Sequence, residues 1–298
     1  MKNNLYALLI VSISLISLTI SCNNQTKKEN KPKSGFIDIG KCKIHYEMQG
    51  EGIPLILIHA GYVDMRMWDG QFNEFAKHFK VIRYDARQHG LSISKPDTFS
   101  HYEDLNLLMN NLHIPKAVIL GLSMGGYVTT DFAIAYPEKV IALIPVSPGL
   151  SGYEFKDKFF LSNVAKMQKA ESIPEAVEYF QRSWTDGPYR TPDQIDSVIR
   201  NKAKRMYTQC FTNMRDSIYE TQLDPPAVNR LSEIDVPTLV IVGDKDVSDI
   251  LEISDIILRN VKNSNKITIK GSAHLVNMEK PDEFNKIVID FISNLKIK

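Results

Sequence analysis

The sequence predicts an α/β protein: a mostly parallel central sheet flanked by helices, with a helical cap inserted into it. Three observations carry this prediction. Continuous apolar runs of strand length, such as "PLILIHA" (54–60), "AVILGL" (117–122) and "PTLVIVG" (237–243), read as strands buried on both faces. Stretches with helical spacing separate these runs, as the crossovers of a parallel sheet require. From about Gly149 to Asn229 the buried-strand runs vanish, and helical patterns rich in aromatics and charges replace them.

In chain order, "FIDIGKCKIHYEMQG" (36–50) alternates apolar and polar residues around Gly40-Lys41, a hairpin signal. The first buried strand follows at 54–60. "RMWDGQFNEFAKHF" then places Met67, Phe72, Phe75 and Phe79 mostly at helical spacing. "KVIRYD" (80–85) is a strand and "HYEDLNLLMNNLHI" (101–114) a helix. "AVILGL" is a strand, "MGGYVTTDFAIAY" (124–136) a helix, and "VIALIPVSP" (140–148) a strand. The interrupting block carries Phe155, Phe159, Phe160, Tyr179, Phe180, Trp184, Tyr207 and Phe211. Most of these are expected to pack its own helices, and Trp184 and Tyr179 imply a partly apolar pocket. Alternation resumes with the strand at 237–243, a helix at 250–261, "KITIKG" (266–271) as a strand, and a last helix at 281–295. The core is therefore expected at 36–148 and 230–298, with the cap at 149–229.

The amino terminus differs in kind. Lys2 precedes "LYALLIVSISLISLTI" (5–20), an uncharged apolar run that ends in Ser21-Cys22. Its 16 residues fall short of the roughly 20 that a helix needs to cross a bilayer. A basic start, a short apolar run and a small residue before the cut predict a signal peptide over 1–21. "LTISC" also resembles the lipobox of bacterial lipoproteins, which implies lipidation at Cys22 and an envelope protein anchored outside the cytoplasm. Leu18 stands four residues before Cys22, where that pattern puts its aliphatic residue three before. An uncleaved anchor helix and simple secretion are the alternatives. The polar stretch that follows, 22–35, reads as a flexible tether. With 36 basic and 35 acidic residues, the chain lacks the basic excess of a nucleic-acid binder. It shows no zinc-type spacing of Cys and His, and Cys42 and Cys210 are expected as buried, unpaired thiols.

The chemistry gathers at "VILGLSMGG" (118–126). A strand runs into Gly121-Leu122-Ser123-Met124-Gly125 and a helix starts at once, which is the context a nucleophile elbow needs. Gly121 and Gly125 let the backbone fold tightly, so that Ser123 projects its hydroxyl clear of the sheet. Met124 begins the helix, and its free N–H can face a developing oxyanion. A serine hydroxyl needs a base, and His274, in the loop after the last strand, supplies it. His78, His101 and His113 are expected to face solvent. "VIVGDKD" ends the preceding strand with Asp244 and Asp246, either of which could fix the tautomer of His274. Asp246, further out along the loop, is expected to be the triad acid, and Asp244 to shape the turn through N–H groups about two residues on.

Five stretches agree in order and spacing with one family: "LILIHAGYVDMRMWD", "VIRYDARQHGLS", "VILGLSMGG", "LVIVGDKD" and "GSAHLVNMEKPDEF". From about residue 36 to 296 the chain resembles the α/β-hydrolases of the esterase, enol-lactonase and C–C hydrolase branch. The resemblance implies that Gly61 gives the second oxyanion amide, with Tyr62 as the fallback because Ala60 replaces a more usual glycine. It gives His59, Asp85, Arg87 and His89 structural roles around the site, and Gln88 departs from the glycine often found there. Relatives with Asp at the elbow, the haloalkane dehalogenases and epoxide hydrolases, are set aside by Ser123. Leu122 looks more like the esterases and enol-lactonases than the C–C hydrolases, where Asn is usual.

The implied activity is cleavage of a small carboxylic ester or lactone through an acyl-enzyme, with Tyr62, Leu122 and Trp184 against the substrate. Such chemistry needs no metal and no organic cofactor. The alternatives are C–C bond cleavage of a diketone on the same triad, and a non-catalytic, tethered ligand-binding protein.

Overall fold

The computed structural model describes residues 32–214 and 218–296, so Cys22 and the apolar run before it lie outside the described residues. In chain order the strands and helices are β1 (Lys33–Asp38), β2 (Cys42–Gln49), β3 (Pro54–Ile58), α1 (Asp69–Phe75), β4 (Lys80–Tyr84), β5 (Ile93–Ser94), β6 (Asp97–Phe99), α2 (His101–Asn111), β7 (Ala117–Leu122), α3 (Met124–Ala135) and β8 (Val140–Val146). After these come α4 (Lys158–Gln168), α5 (Ile173–Gln181), α6 (Ser197–Asn213), β9 (Ile218–Glu220), β10 (Thr238–Gly243), α7 (Ser248–Asn260), β11 (Ser264–Ile269), α8 (Val276–Glu279) and α9 (Pro281–Ser293).

The main sheet runs β1-β2-β4-β3-β7-β8-β10-β11, with β5 pairing β2 at one side. β1, β2 and β4 pair antiparallel, and every pair from β4 to β11 is parallel. The hairpin starts earlier than its composition implies. Lys33, Ser34 and Gly35 already pair with Met48, Glu47 and Tyr46, so the strand takes three residues of the segment expected as tether. Main-chain pairing with β2 orders them, and side-chain polarity does not report that.

The central parallel strands β3, β7, β8 and β10 are buried on both faces, whereas β11 at the edge is largely exposed. All six residues of β7 are buried, and their side chains alternate between two cores. Ala117 and Ile119 join one core, beside Ile56 and Val240. Val118, Leu120 and Leu122 join the other, beside Leu57 and Ile144. Each such aliphatic side chain contributes roughly 1.5–3 kcal/mol by leaving water. The chain passes from β3 outward to β4 and then back across to β7, so the strand order reverses between β3 and β7. In an open parallel sheet, the crevice at such a reversal, beyond the carboxyl ends of the strands, is where ligands bind.

Between β8 and β10 the described chain adds no strand to the main sheet; β9 pairs only with β6. Asp157, Ser172 and Asp196 cap α4, α5 and α6 by accepting from the N–H groups of Phe160, Glu175 and Val198. Helix α6 buries Ala203, Met206, Tyr207 and Cys210, a single stripe at helical spacing. A π-helical turn, Arg182–Asp186, follows α5. The aromatic residues of the segment pack mainly on one another: Phe160 on Phe155 and Trp184, and Phe180 on Trp184, Tyr207 and Phe211. Cys42 and Cys210 are buried free thiols.

Candidate active site

The loops that follow β3, β7, β10 and β11 meet above the carboxyl ends of these strands. The turn after β7 is the tightest of them. Ser123 has φ 57° and ψ −109°, in the left-handed region that a side chain adopts only under strain. The turn closes because two neighbours lack a side chain. A Cβ on Gly121 would stand 2.1 Å from the Gly125 carbonyl oxygen, and one on Gly125 would stand 2.4 Å from that of Ile58. The strained residue is pinned from outside: its N–H donates to Val146 O at 2.9 Å, and its own carbonyl accepts from Gly149 N at 2.9 Å.

Met124 opens α3, so its N–H has no acceptor within the helix. Gly61 lies beside it; a Cβ there would be 3.7 Å from Met124 Cβ. The Tyr62 N–H donates to His89 Nε2 at 3.1 Å. That amide is therefore already engaged with a side chain.

His274 and Asp246 are both buried, and His274 Nδ1 lies 2.8 Å from Asp246 Oδ2. Asp246 Oδ1 also accepts from Val247 N at 2.8 Å, so the carboxylate is held at both oxygens. With Nδ1 facing the carboxylate, Nε2 of His274 is left to face outward. Asp244 turns away from His274. Its Oδ1 accepts from Gly271 N at 2.6 Å, which ties the β10 loop to the β11 loop rather than to groups two residues on. Trp184, on the π-helical turn, lies over the His274 ring with centroids 4.2 Å apart and planes at 37°.

Ser123, Met124, Gly61, Tyr62, Trp184 and His274 line one cavity of about 380 Å³. Leu122 does not line it. One residue before the elbow on an alternating strand, its side chain points into the core beneath the site and is fully buried there. Sequence patterns leave the rest of the lining unread: Phe160, Val164, Met167 and Gln168 from α4, with Ala60, Phe180, Tyr207 and Leu275. Their helical periodicity marks an apolar face but not what that face covers. Equally hidden is Arg190, which binds Glu279 across 89 positions of sequence. Glu279 in turn accepts from Ala273 N at 2.9 Å, beside His274.

The turn behind the site is held by buried polar groups. His59 donates from Nδ1 to Ala60 O at 2.7 Å and accepts the Ala86 N–H on Nε2 at 2.9 Å. His89 donates from Nδ1 to Arg87 O at 2.6 Å. Burial pushes both imidazoles toward the neutral form, and His89, with His59 as a further neighbour, falls to about 3. Arg87 forks onto both oxygens of Asp104. His78 and His113 are exposed. His101 is not: it is only 5% exposed, packs edge-on against Phe99 and lies 3.9 Å from Glu220. The pairing of β6 with β9 brings Glu220 onto the start of α2 and covers that histidine.

A family model described as alpha/beta hydrolase fold matches residues 53–281. The chain is similar to the (E)-2-((N-methylformamido)methylene)succinate hydrolase of Acinetobacter baylyi, 25% identical over 250 residues, which covers 81% of this chain and 91% of the relative. It is similar to 3-oxoadipate enol-lactonase 2 of the same organism, 23% identical over 245 residues, covering 80% and 88% of the two chains. Among solved structures, the enol-lactonase from Burkholderia xenovorans shares the fold with a TM-score of 0.71 at 21% identity, over 87% of this chain and 100% of that one.

Proposed function

The chain belongs to the alpha/beta hydrolase fold family and is a hydrolase, and we propose that it cleaves a small carboxylic ester or lactone through a Ser123 acyl-enzyme. One observation carries the reading. A serine strained at φ 57° faces the same cavity as a histidine whose Nδ1 is held 2.8 Å from a buried aspartate. In this reading His274 Nε2 removes the proton from Ser123 Oγ as the oxygen attacks the carbonyl carbon. Asp246 fixes the tautomer and stabilises the imidazolium. The N–H groups of Gly61 and Met124 hold the oxyanion. His274 then gives its proton to the leaving alkoxide, and water, activated by the same nitrogen, hydrolyses the acyl-enzyme. Tyr62 and Trp184 form walls against the substrate. The names of the relatives, a lactonase and a hydrolase, support an acyl transfer of this kind.

The test is Ser123→Ala. It is expected to abolish p-nitrophenyl ester hydrolysis and labelling by a fluorophosphonate, with a loss of about 10⁶ in kcat and an unchanged fold. Turnover retained in a folded variant would refute the assignment. A wild-type chain that neither labels nor hydrolyses would point instead to the non-catalytic binding reading.

For the amino terminus, the apolar run ending in Ser21-Cys22 supports lipid attachment at Cys22 and an envelope location. Expressed in a bacterium, the wild type is expected to incorporate labelled fatty acid and sediment with membranes. Identical processing and fractionation of Cys22→Ala would refute this.

A further inference from the structure

The lining of the cavity carries a restriction on substrate that the triad alone does not. Its lining holds no Lys, Arg, Asp or Glu: the wall is mainly apolar, with Phe160, Val164, Met167 and Trp184, and its polar side chains besides Ser123 and His274 are the neutral Gln168 and two tyrosines. Among the described residues, Arg182, Arg190 and Arg200 of the surrounding segments are paired with carboxylates, and Lys169, beside Gln168 at the end of α4, is exposed. Arg182 Nη1 donates to Asp186 at 2.8 Å and Arg200 Nε to the same carboxylate at 3.0 Å. Arg190 is held by Glu279. Lys166, one residue from Met167, is exposed and reaches over the Tyr179 ring. His274 faces the Asp246 carboxylate, while Glu279, paired with Arg190, accepts from the Ala273 N–H beside it.

We propose that this cavity receives an uncharged, apolar acyl group and rejects one that carries a carboxylate. The proposal rests on the serine-hydrolase reading of the site and narrows it. A carboxylate entering this wall loses its water and gains neither a guanidinium nor an ammonium in return, the most costly form of burial. It also approaches Asp246, a charge of its own sign. An alkyl or aryl chain of the same length loses water favourably against the same wall.

A matched pair of substrates tests this: p-nitrophenyl hexanoate and the p-nitrophenyl half-ester of adipic acid, which share a six-carbon acyl chain and a leaving group. Expected is a kcat/KM higher for the neutral ester by a factor on the order of 10². Equal rates, or a faster half-ester, would overturn the proposal and leave the serine-hydrolase reading intact, since both outcomes are turnover. Absence of fluorophosphonate labelling together with absence of turnover would overturn both. Met167→Arg supplies the missing cation from the wall and is expected to narrow the ratio about tenfold. An unchanged ratio in a folded, labelled Met167→Arg variant would show that lining charge does not discriminate, and the proposal would fall.

Discussion

Two buried histidines of this molecule face a carboxylate through Nδ1: His274 with Asp246 at 2.8 Å, and His45 with Asp85 at 3.0 Å. The second pair even has a serine at its other nitrogen, with Ser34 Oγ 3.2 Å from His45 Nε2. By contact alone, Ser34, His45 and Asp85 form a Ser-His-Asp chain. What surrounds each serine separates the two. Ser34 is exposed in an extended strand, paired with Glu47. Ser123 sits at positive φ between a strand and a helix start, over a cavity lined also by Gly61 and Met124. Asp85 is occupied as well, because it accepts from Met65 N at 3.0 Å and Leu91 N at 2.9 Å. Burial pushes its pKa up, but His45 and these amides outweigh burial and hold the carboxyl below its usual range. One arrangement staples a turn, and the other places a hydroxyl on the wall of a cavity. A hydrogen-bonded triad is therefore insufficient evidence of catalysis without the strained turn and the unengaged amides.

The largest expected effect separates the two aspartates. Asp246→Asn is expected to lower kcat on the order of 10⁴ with the fold preserved, because the imidazole takes the wrong tautomer. Asp85→Asn is expected to keep kcat near wild type and to lose about 1–3 kcal/mol of stability in urea unfolding. Asp244→Asn belongs with Asp85, since its carboxylate ties Gly271. If Asp85→Asn or Asp244→Asn is the crippled enzyme, the comparison breaks.

A smaller effect concerns pH. His89 is buried neutral, with its pKa lowered to about 3 from 6.5. Between these values the unfolded chain binds the proton and the folded chain does not. The contribution of His89 is thus complete above pH 6.5 and is lost as pH falls toward 3, at about 1.4 kcal/mol per pH unit. Unfolding free energies at pH 7 and pH 5 should show a smaller acid loss in His89→Gln than in wild type, by about 2 kcal/mol. Equal losses in the two proteins would mean that this imidazole is protonated in the folded chain. The smallest effect is Ser34→Ala, where kcat/KM should stay within about twofold and stability within about 1 kcal/mol. A collapse of activity there would promote the lookalike.

Much of this was legible in the sequence, for a physical reason. Strands buried on both faces must be continuous apolar runs, and a strained elbow must have small neighbours, so 117–122 and Gly121-x-Ser123-x-Gly125 are written locally. What depends on distant partners is not. His101 has the setting of a surface residue until β9 arrives from 218–220 to cover it. Lys33 to Gly35 look like linker until β2 pairs with them. Leu122 is read as a pocket residue from its neighbour Ser123, but the alternation of a strand sends adjacent side chains to opposite faces. Asp244 and Asp246 are two residues apart; loop position favours Asp246 beside His274, but that Asp244 binds Gly271 of the β11 loop is visible only in the fold.

Helix α4 has a consequence for how this enzyme could be changed. Phe160, Val164, Met167 and Gln168 form one stripe of it along the cavity, and its N-cap Asp157 also accepts from Ser248 at the start of α7. The π-helical turn beside it is bolted in place by Asp186 with its two arginines, and the His274 loop by Arg190 with Glu279. The wall is thus a replaceable part on a fixed chassis. Under the proposed acyl transfer, exchanging the inward stripe of a single helix would re-tool the enzyme for another acyl group while Ser123, Asp246 and His274 stay where they are.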